Sequence, residues 1–181
     1  MRPLTIRQTI FLIFYYAICQ YLPTSYKPYG GKIARRLRYW CGKNIFLKCG
    51  KNINIERKAH FGVGKNICIG DNSGIGVNCV VPDNIVIGSN VMMGPECYFF
   101  KQNHCFDNID IPMNLQGYSA AKITIIEDDV WLGRGIMVTP GRIIKKGSVI
   151  GAGTLLCKDF PEYSVVGGNP SKFIKSRLIK K

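Results

Sequence analysis

Carboxylates are scarce where the chain begins. The first is Glu56, and over 181 residues 11 Asp and Glu face 25 Lys and Arg, for a net charge of +14. That balance implies an anionic partner such as a phosphate-bearing ligand, a nucleic acid or a membrane surface. Histidine is scarcer still. With His60 and His104 alone, a multi-histidine metal site within one subunit is not expected. The eight cysteines include no C-x-x-C pair and no cluster beside a histidine, so zinc and redox signatures are missing. Nothing resembles a cleavable signal peptide, and free thiols in a reducing cytosol are the expectation. No apolar run approaches the roughly 20 residues that span a bilayer. The length allows one compact domain, and 46% hydrophobic against 20% charged residues supplies a core and argues against disorder.

The positive charge sits at the two ends. Residues 1 to 60 carry 12 basic and 1 acidic side chains, residues 61 to 170 carry 8 and 10, and residues 171 to 181 carry 5 and 0. This split, with no nucleic-acid module pattern, argues against DNA or RNA binding. The N-terminal end adds an apolar run, Ile10 to Cys19, in a segment that breaks at Pro23 and is flanked by Arg2, Arg7, Lys27, Lys32, Arg35, Arg36 and Arg38. Such a helix suits a cap over the core, contact with an anionic membrane interface, or both.

From Val63 an apolar residue recurs every six positions: Val63, Ile69, Ile75, Val81, Ile87, Met93 and Phe99. A small or apolar residue stands four places after most of them, from Ile67 to Cys97. The frame returns as Ile126, Leu132, Val138, Ile144, Ile150 and Leu156. Neither a helix nor an alternating strand has this period, and the frequent next-residue glycines suggest short strands joined by turns needing positive φ. Three positions conflict with the pattern: Arg142 at an inward offset, and Lys145 and Phe100 at bends. A register bulge near Pro140 and Gly141 is expected to release Arg142, because an unpaired inward Arg is costly.

Residues 101–122 interrupt the repeat with polar and turn-forming residues, which in a regular solenoid points to function. They hold His104. The fragments Asn103-His104, Phe106, Asp107, Asp110-Ile111-Pro112, Gln116-Gly117, Asp128-Asp129-Val130-Trp131-Leu132-Gly133, Gly151-Ala152-Gly153, Lys158-Asp159 and Gly168-Asn169-Pro170 with Lys172 resemble the maltose, galactoside and exopolysaccharide O-acetyltransferases. These are a group of the hexapeptide-repeat acyltransferases, and the resemblance covers about residues 45–176.

The resemblance implies an all-β fold, a left-handed parallel β-helix of hexapeptide repeats with an N-terminal helical segment and a C-terminal helical tail. On that plan residues 1–44 form the basic, partly apolar N-terminal segment, 45–170 the β-helix with catalytic loop 101–122, and 171–181 the basic tail. It implies a homotrimer with sites between adjacent prisms, acetyl-CoA as cosubstrate, no metal, and acetyl transfer to a sugar hydroxyl of a surface polysaccharide or glycolipid. A cytoplasmic location, peripheral to the inner face of the membrane, follows from pairing that acceptor with the N-terminal segment.

His104 matches the general base. An attacking alcohol must lose a proton, and a side-chain type with pKa near 6.5 accepts one at neutral pH; a loop histidine bonded to backbone is the alternative. Backbone N–H groups around Gly133 and Arg134 match the donors to the tetrahedral oxyanion. Gly151 and Ala152 match pantetheine contacts, and Lys158 and Lys172, with Lys175 as a third, match cations for the coenzyme's phosphates. Each lysine alone also reads as a solvated surface charge. Asn78, Asn103 and Trp131 are the acceptor-side candidates, although Trp131 also suits a corner aromatic packed between coils. N-acetylation of an amino sugar or serine-like acceptor, and a non-catalytic β-helix scaffold, stand as alternatives.

Overall fold

In the computed structural model, which describes residues 3–178, two helices stand at the foot of a parallel β-solenoid of about six turns. Arg2, one of the expected flanking cations, lies outside the described residues. Helix α1 (Ile6–Ala17) starts at a capping box: the Thr5 hydroxyl accepts from the Gln8 N–H, and the Gln8 side chain accepts from the Thr5 N–H. One 3-10 turn (Cys19–Tyr21) follows. Helix α2 (Gly31–Ile45) packs across α1, with Phe11 edge-on to Trp40 at 4.6 Å between ring centroids.

The coils run β1 (Lys48–Cys49), β2 (Asn54–Ile55) and His60; then β3 (Cys68–Ile69), β4 (Gly74–Ile75) and Val80. The third, fourth and fifth are complete: β5 (Val86–Ile87), β6 (Met92–Met93), β7 (Tyr98–Phe99); β8 (Ile125–Ile126), β9 (Trp131–Leu132), β10 (Met137–Val138); and β11 (Ile143–Ile144), β12 (Val149–Ile150), β13 (Leu155–Leu156). Phe160 and β14 (Ser164–Gly167) begin a sixth. Equivalent positions in successive coils stack in parallel, with β4 and β6 joined through Gly74 N–H to Val91 O (3.2 Å) and not by a full ladder, which builds three faces. The first face holds β1, β3, β5, β8 and β11, the second holds β2, β4, β6, β9, β12 and β14, and the third ends in β7, β10 and β13.

The second residue of most strands points inward. Ile69, Ile75, Val81, Ile87 and Phe99 of the first repeat block are buried, as are all six of the second. Val63 is the exception: it lies in a turn and is half-buried, and Phe61 fills the interior in its place, while Met93 is half-buried. The residues four places on, from Ile67 to Thr154, line the corners. Polar ones there bond to carbonyls, as Ser73 Oγ does to Gly88 O at 2.6 Å and Thr154 Oγ1 to Gly151 O at 2.7 Å. All eight cysteines are free, and the hydrogen bond to Cys97, with burial, holds the interior Cys79 thiol above its usual range.

Parallel coils leave open edges at both ends. At the foot, α1 packs on the first coil: Tyr15 is fully buried with its hydroxyl on Ala59 O at 2.7 Å, and Tyr16 donates to Gly62 O at 2.9 Å. At the top, the expected helical tail is instead a strand. β15 (Lys172–Ser176) runs antiparallel along β14, because the free edge of β14 offers a row of backbone partners that a helix would leave unpaired.

Asn52, Asn72 and Asn90 take left-handed turn positions (φ 57°, 57° and 59°) and their amides stack into a ladder at 2.9 and 3.3 Å. Arg35 closes it below on Asn52 Oδ1 at 2.6 Å. The expected bulge at Pro140 does not occur, since β10 and β11 keep their register with β7 and β8. Arg142 instead turns across the corner onto the Cys157 and Pro140 carbonyls, 3.6 Å from Asp159. Lys145 is accommodated by Glu127 at 3.0 Å, and Phe100 stacks on Tyr98 at 4.8 Å.

Candidate active site

The 101–122 excursion leaves the third face after Phe99 and returns at β8 on the first. Its legs pair through Lys122 N–H to Lys101 O (3.0 Å), Ser119 N–H to Asn103 O (2.8 Å) and Cys105 N–H to Gly117 O (3.0 Å), while Asn103 N–H donates to Ser119 Oγ (3.1 Å). Gly117, at φ 77°, permits the bend, and the Gln116 amide pins the tip through the carbonyls of Asn108 and Ile111, both at 2.7 Å. Lys101 anchors the base on Asp83 at 2.7 Å. These pairings place His104 opposite Tyr118, ring centroids 4.2 Å apart. The imidazole is exposed and forms no hydrogen bond among the described residues. Sequence reasoning missed Tyr118; the signal available was an aromatic beside Gln116-Gly117, opposite the histidine in a hairpin.

Asn78, Gly133, Arg134, Gly151 and Ala152 lie where the second face turns into the third. Turns stack there through Asn78 N–H to Arg57 O (3.1 Å), Glu96 N–H to Val77 O (2.8 Å), Gly135 N–H to Pro95 O (2.9 Å) and Gly153 N–H to Arg134 O (2.9 Å). Asn78 holds a left-handed position, φ 56°, which accounts for its identity at this turn. Gly133 N–H is committed to Ile150 O at 2.8 Å and Gly151 N–H to Val166 O at 2.8 Å. By contrast, the N–H groups of Arg134 and Ala152 make no hydrogen bond among the described residues. Of the two donors expected near the oxyanion, Arg134 is therefore the uncommitted one. Its guanidinium leans to Glu96 at 3.5 Å, both groups exposed.

Packing dictates the glycines before these turns. A Cβ on Gly94 would lie 2.8 Å from Arg134 N, and one on Gly133 would lie 2.5 Å from Ala152 N. Gly133→Ala is expected to cost about 1–3 kcal/mol by forcing the turn above it outward, read as a lowered melting temperature; an unchanged melt would show that the coil yields freely.

Trp131 lies on the outer side of the second face, half exposed, paired with Met92 below and Val149 above. Lys172 pairs with Gly167, above the end of β12 where Gly151 follows, whereas Lys175 pairs with Val165, above Val149 at the start of that strand. Lys158 stands at the opposite end of β13, over the Phe160 ring at 5.5 Å. Residues 103–119 form hydrogen bonds and ring contacts within the excursion, and none joins His104 or Asn103 to Trp131 or Arg134 among the described residues. Nor do any three His, Cys, Asp or Glu there form a metal-binding group.

No protein-family model matches the sequence. The Saccharomyces cerevisiae protein YJL218W, whose name puts it provisionally with the acetyltransferases, is 40% identical over 135 residues, 74% of this chain and 67% of its own length. The chain belongs to the hexapeptide-repeat acetyltransferases. Galactoside O-acetyltransferase of Lactococcus lactis is 36% identical over 132 residues, 71% of this chain, and the match spans 62% of that enzyme. Among solved folds of hexapeptide-repeat acetyltransferases, that of VCA0836 from Vibrio cholerae superimposes with a TM-score of 0.78 at 27% identity, covering 95% of this chain and 91% of that one. The Vibrio protein has also been solved with acetyl-CoA.

Proposed function

We propose that the protein is an acetyl-CoA-dependent O-acetyltransferase acting on a sugar hydroxyl. The observation that carries this reading is His104, held on a hairpin with a free, exposed imidazole, on a fold whose relatives include galactoside O-acetyltransferase. The imidazole takes the proton of the acceptor hydroxyl as its oxygen attacks the thioester carbonyl. The uncommitted Arg134 N–H receives the developing oxyanion, and collapse expels the thiolate of coenzyme A. Ala152 N–H suits a pantetheine amide, and Lys172 above that turn, with Lys175 and Lys158, suits phosphates.

No contact joins His104 to Trp131 or Arg134 within one chain among the described residues, and we place the sites between the protomers of a homotrimer. Transfer from acetyl-CoA to mixed saccharides, with product analysis, tests the reading: an O-acetyl sugar supports it, and a folded chain that neither binds acetyl-CoA nor transfers leaves it a scaffold.

The acceptor we favour is a surface-polysaccharide or glycolipid intermediate at an anionic membrane. Helix α1 buries one side against the first coil and leaves Ile6, Ile10 and Ile13 exposed at i, i+4 and i+7, and its Arg7 lines a cleft with Lys43 of α2. Among the described residues no helix is long and apolar enough to cross a membrane. Flotation with anionic liposomes is expected for the native chain and lost in Ile10→Glu/Ile13→Glu; flotation indifferent to both lipid charge and variant would remove the membrane from the reading.

A further inference from the structure

Positions 32, 35, 36 and 39 fall at i, i+3, i+4 and i+7, so Lys32, Arg35, Arg36 and Tyr39 share one side of α2. Between that side and the first coil lies a cleft of about 330 Å³, completed by Asn52 and Ile53. None of the three cations is within 4 Å of a carboxylate among the described residues. Arg35 is already oriented by Asn52, through Oδ1 at 2.6 Å and O at 3.3 Å. Three unpaired cations around a concavity, one of them fixed in place, form a receptor for a multiply charged oxyanion.

The cleft continues upward. A trough of about 250 Å³ shares Arg35 and Asn52 and follows the second face past Asn54, Asn72 and Gly74 to Met92. It is open because the outward residue of β4 is Gly74, which has no side chain to fill it. Glu56 also lines the trough, but its carboxylate is occupied by the Ser25 and Asn54 side chains and by Arg38. Asparagine amides and a glycine floor suit hydroxyl groups. Met92 pairs with Trp131, so the trough ends beside the acceptor-side tryptophan. Three strand steps separate Asn54 from Trp131, about 14 Å, more than one sugar ring covers.

We propose that this cleft and trough bind a saccharide carrying a phosphate or diphosphate, with the anionic group held by Lys32, Arg35 and Arg36 and the sugar laid along the second face toward Trp131. This deepens, and rests on, the reading of the chain as a sugar O-acetyltransferase.

Calorimetric titration of the full chain, without acetyl-CoA, with maltotriose and with maltotriose 1-phosphate tests it. The phosphorylated probe is expected to bind at least tenfold more tightly, with inorganic pyrophosphate competing. The preference should disappear in Lys32→Gln/Arg36→Gln, whose exposed positions allow the fold to be checked by an unchanged melt. Equal affinities, no binding of the phosphorylated probe, or a preference that survives the double substitution would overturn the proposal. A chain that transfers acetyl groups yet shows no preference overturns this inference alone; one with the preference and no transfer overturns the transferase reading instead. A farnesyl-diphosphate-linked trisaccharide in detergent separates the sources. Tighter binding than the free sugar phosphate assigns the anion to a lipid carrier, and equal binding assigns it to a soluble sugar phosphate.

Discussion

Replacing His104 by alanine is expected to lower acetyl transfer by about 10²–10⁴-fold, the usual contribution of a positioned general base, while acetyl-CoA binding persists. The separation follows from geometry. The imidazole is carried by the 101–122 hairpin, whereas Arg134, Ala152, Lys172 and Lys175 belong to the stacked corner and its strap. The hairpin is held by backbone pairs and the Gln116 amide, none of which needs the imidazole, so the variant should fold. Calorimetry with acetyl-CoA beside a transfer assay reads both halves. Transfer retained within tenfold of the native rate would remove His104 from the chemistry, and loss of binding together with transfer would mean that the hairpin shapes the coenzyme site.

The second large effect is expected at Arg38, whose side chain is fully buried where α2 meets the first coil. Its guanidinium donates to Ile55 O at 2.5 Å and Pro23 O at 3.0 Å and faces Glu56 at 3.6 Å. Arg38→Ala leaves Glu56 buried without its cation and three chain segments without their tie, and is expected to destabilise the fold by about 3–5 kcal/mol. A thermal melt checks this, and a drop equivalent to less than about 1 kcal/mol would show that the cap is held by apolar packing alone. Acid should weaken the same junction. Burial pushes the Glu56 carboxyl upward, but hydrogen bonds from Ser25, Asn54 and the Arg57 N–H outweigh it and hold it below the ordinary carboxylate range. A carboxyl depressed in the folded state stabilises fully above its unfolded value, and that stabilisation is lost as pH falls through the folded one. Glu56→Gln should therefore flatten the acid limb of the stability profile.

The solenoid was legible because a six-residue period is a local property: Ile69, Ile75, Val81 and Ile87 announce it without knowledge of their neighbours. The glycines that follow were legible as landmarks, yet the reason for most of them was not. Gly70, Gly76, Gly88, Gly94, Gly133 and Gly151 do not take positive φ; that conformation falls two residues later, at Asn72, Asn78, Asn90, Glu96, Gly135 and Gly153. The repeat glycines are small because the backbone of the next coil passes within about 3 Å of where a Cβ would stand, as at Gly76, Gly94 and Gly133.

Sequence alone therefore determined the repeat, its interruption, the histidine within it and the basic ends, since each is written in residue type and spacing along one stretch of chain. Tertiary structure decided what met what. It made the tail a strand by offering the edge of β14, set Tyr118 against His104, turned Arg142 onto carbonyls without shifting the register, and joined α2 to Asn52 as a cationic cleft. Those outcomes depend on contacts between residues up to dozens of positions apart, and they are settled by which edges, carbonyls and charges remain unsatisfied once the coils have stacked.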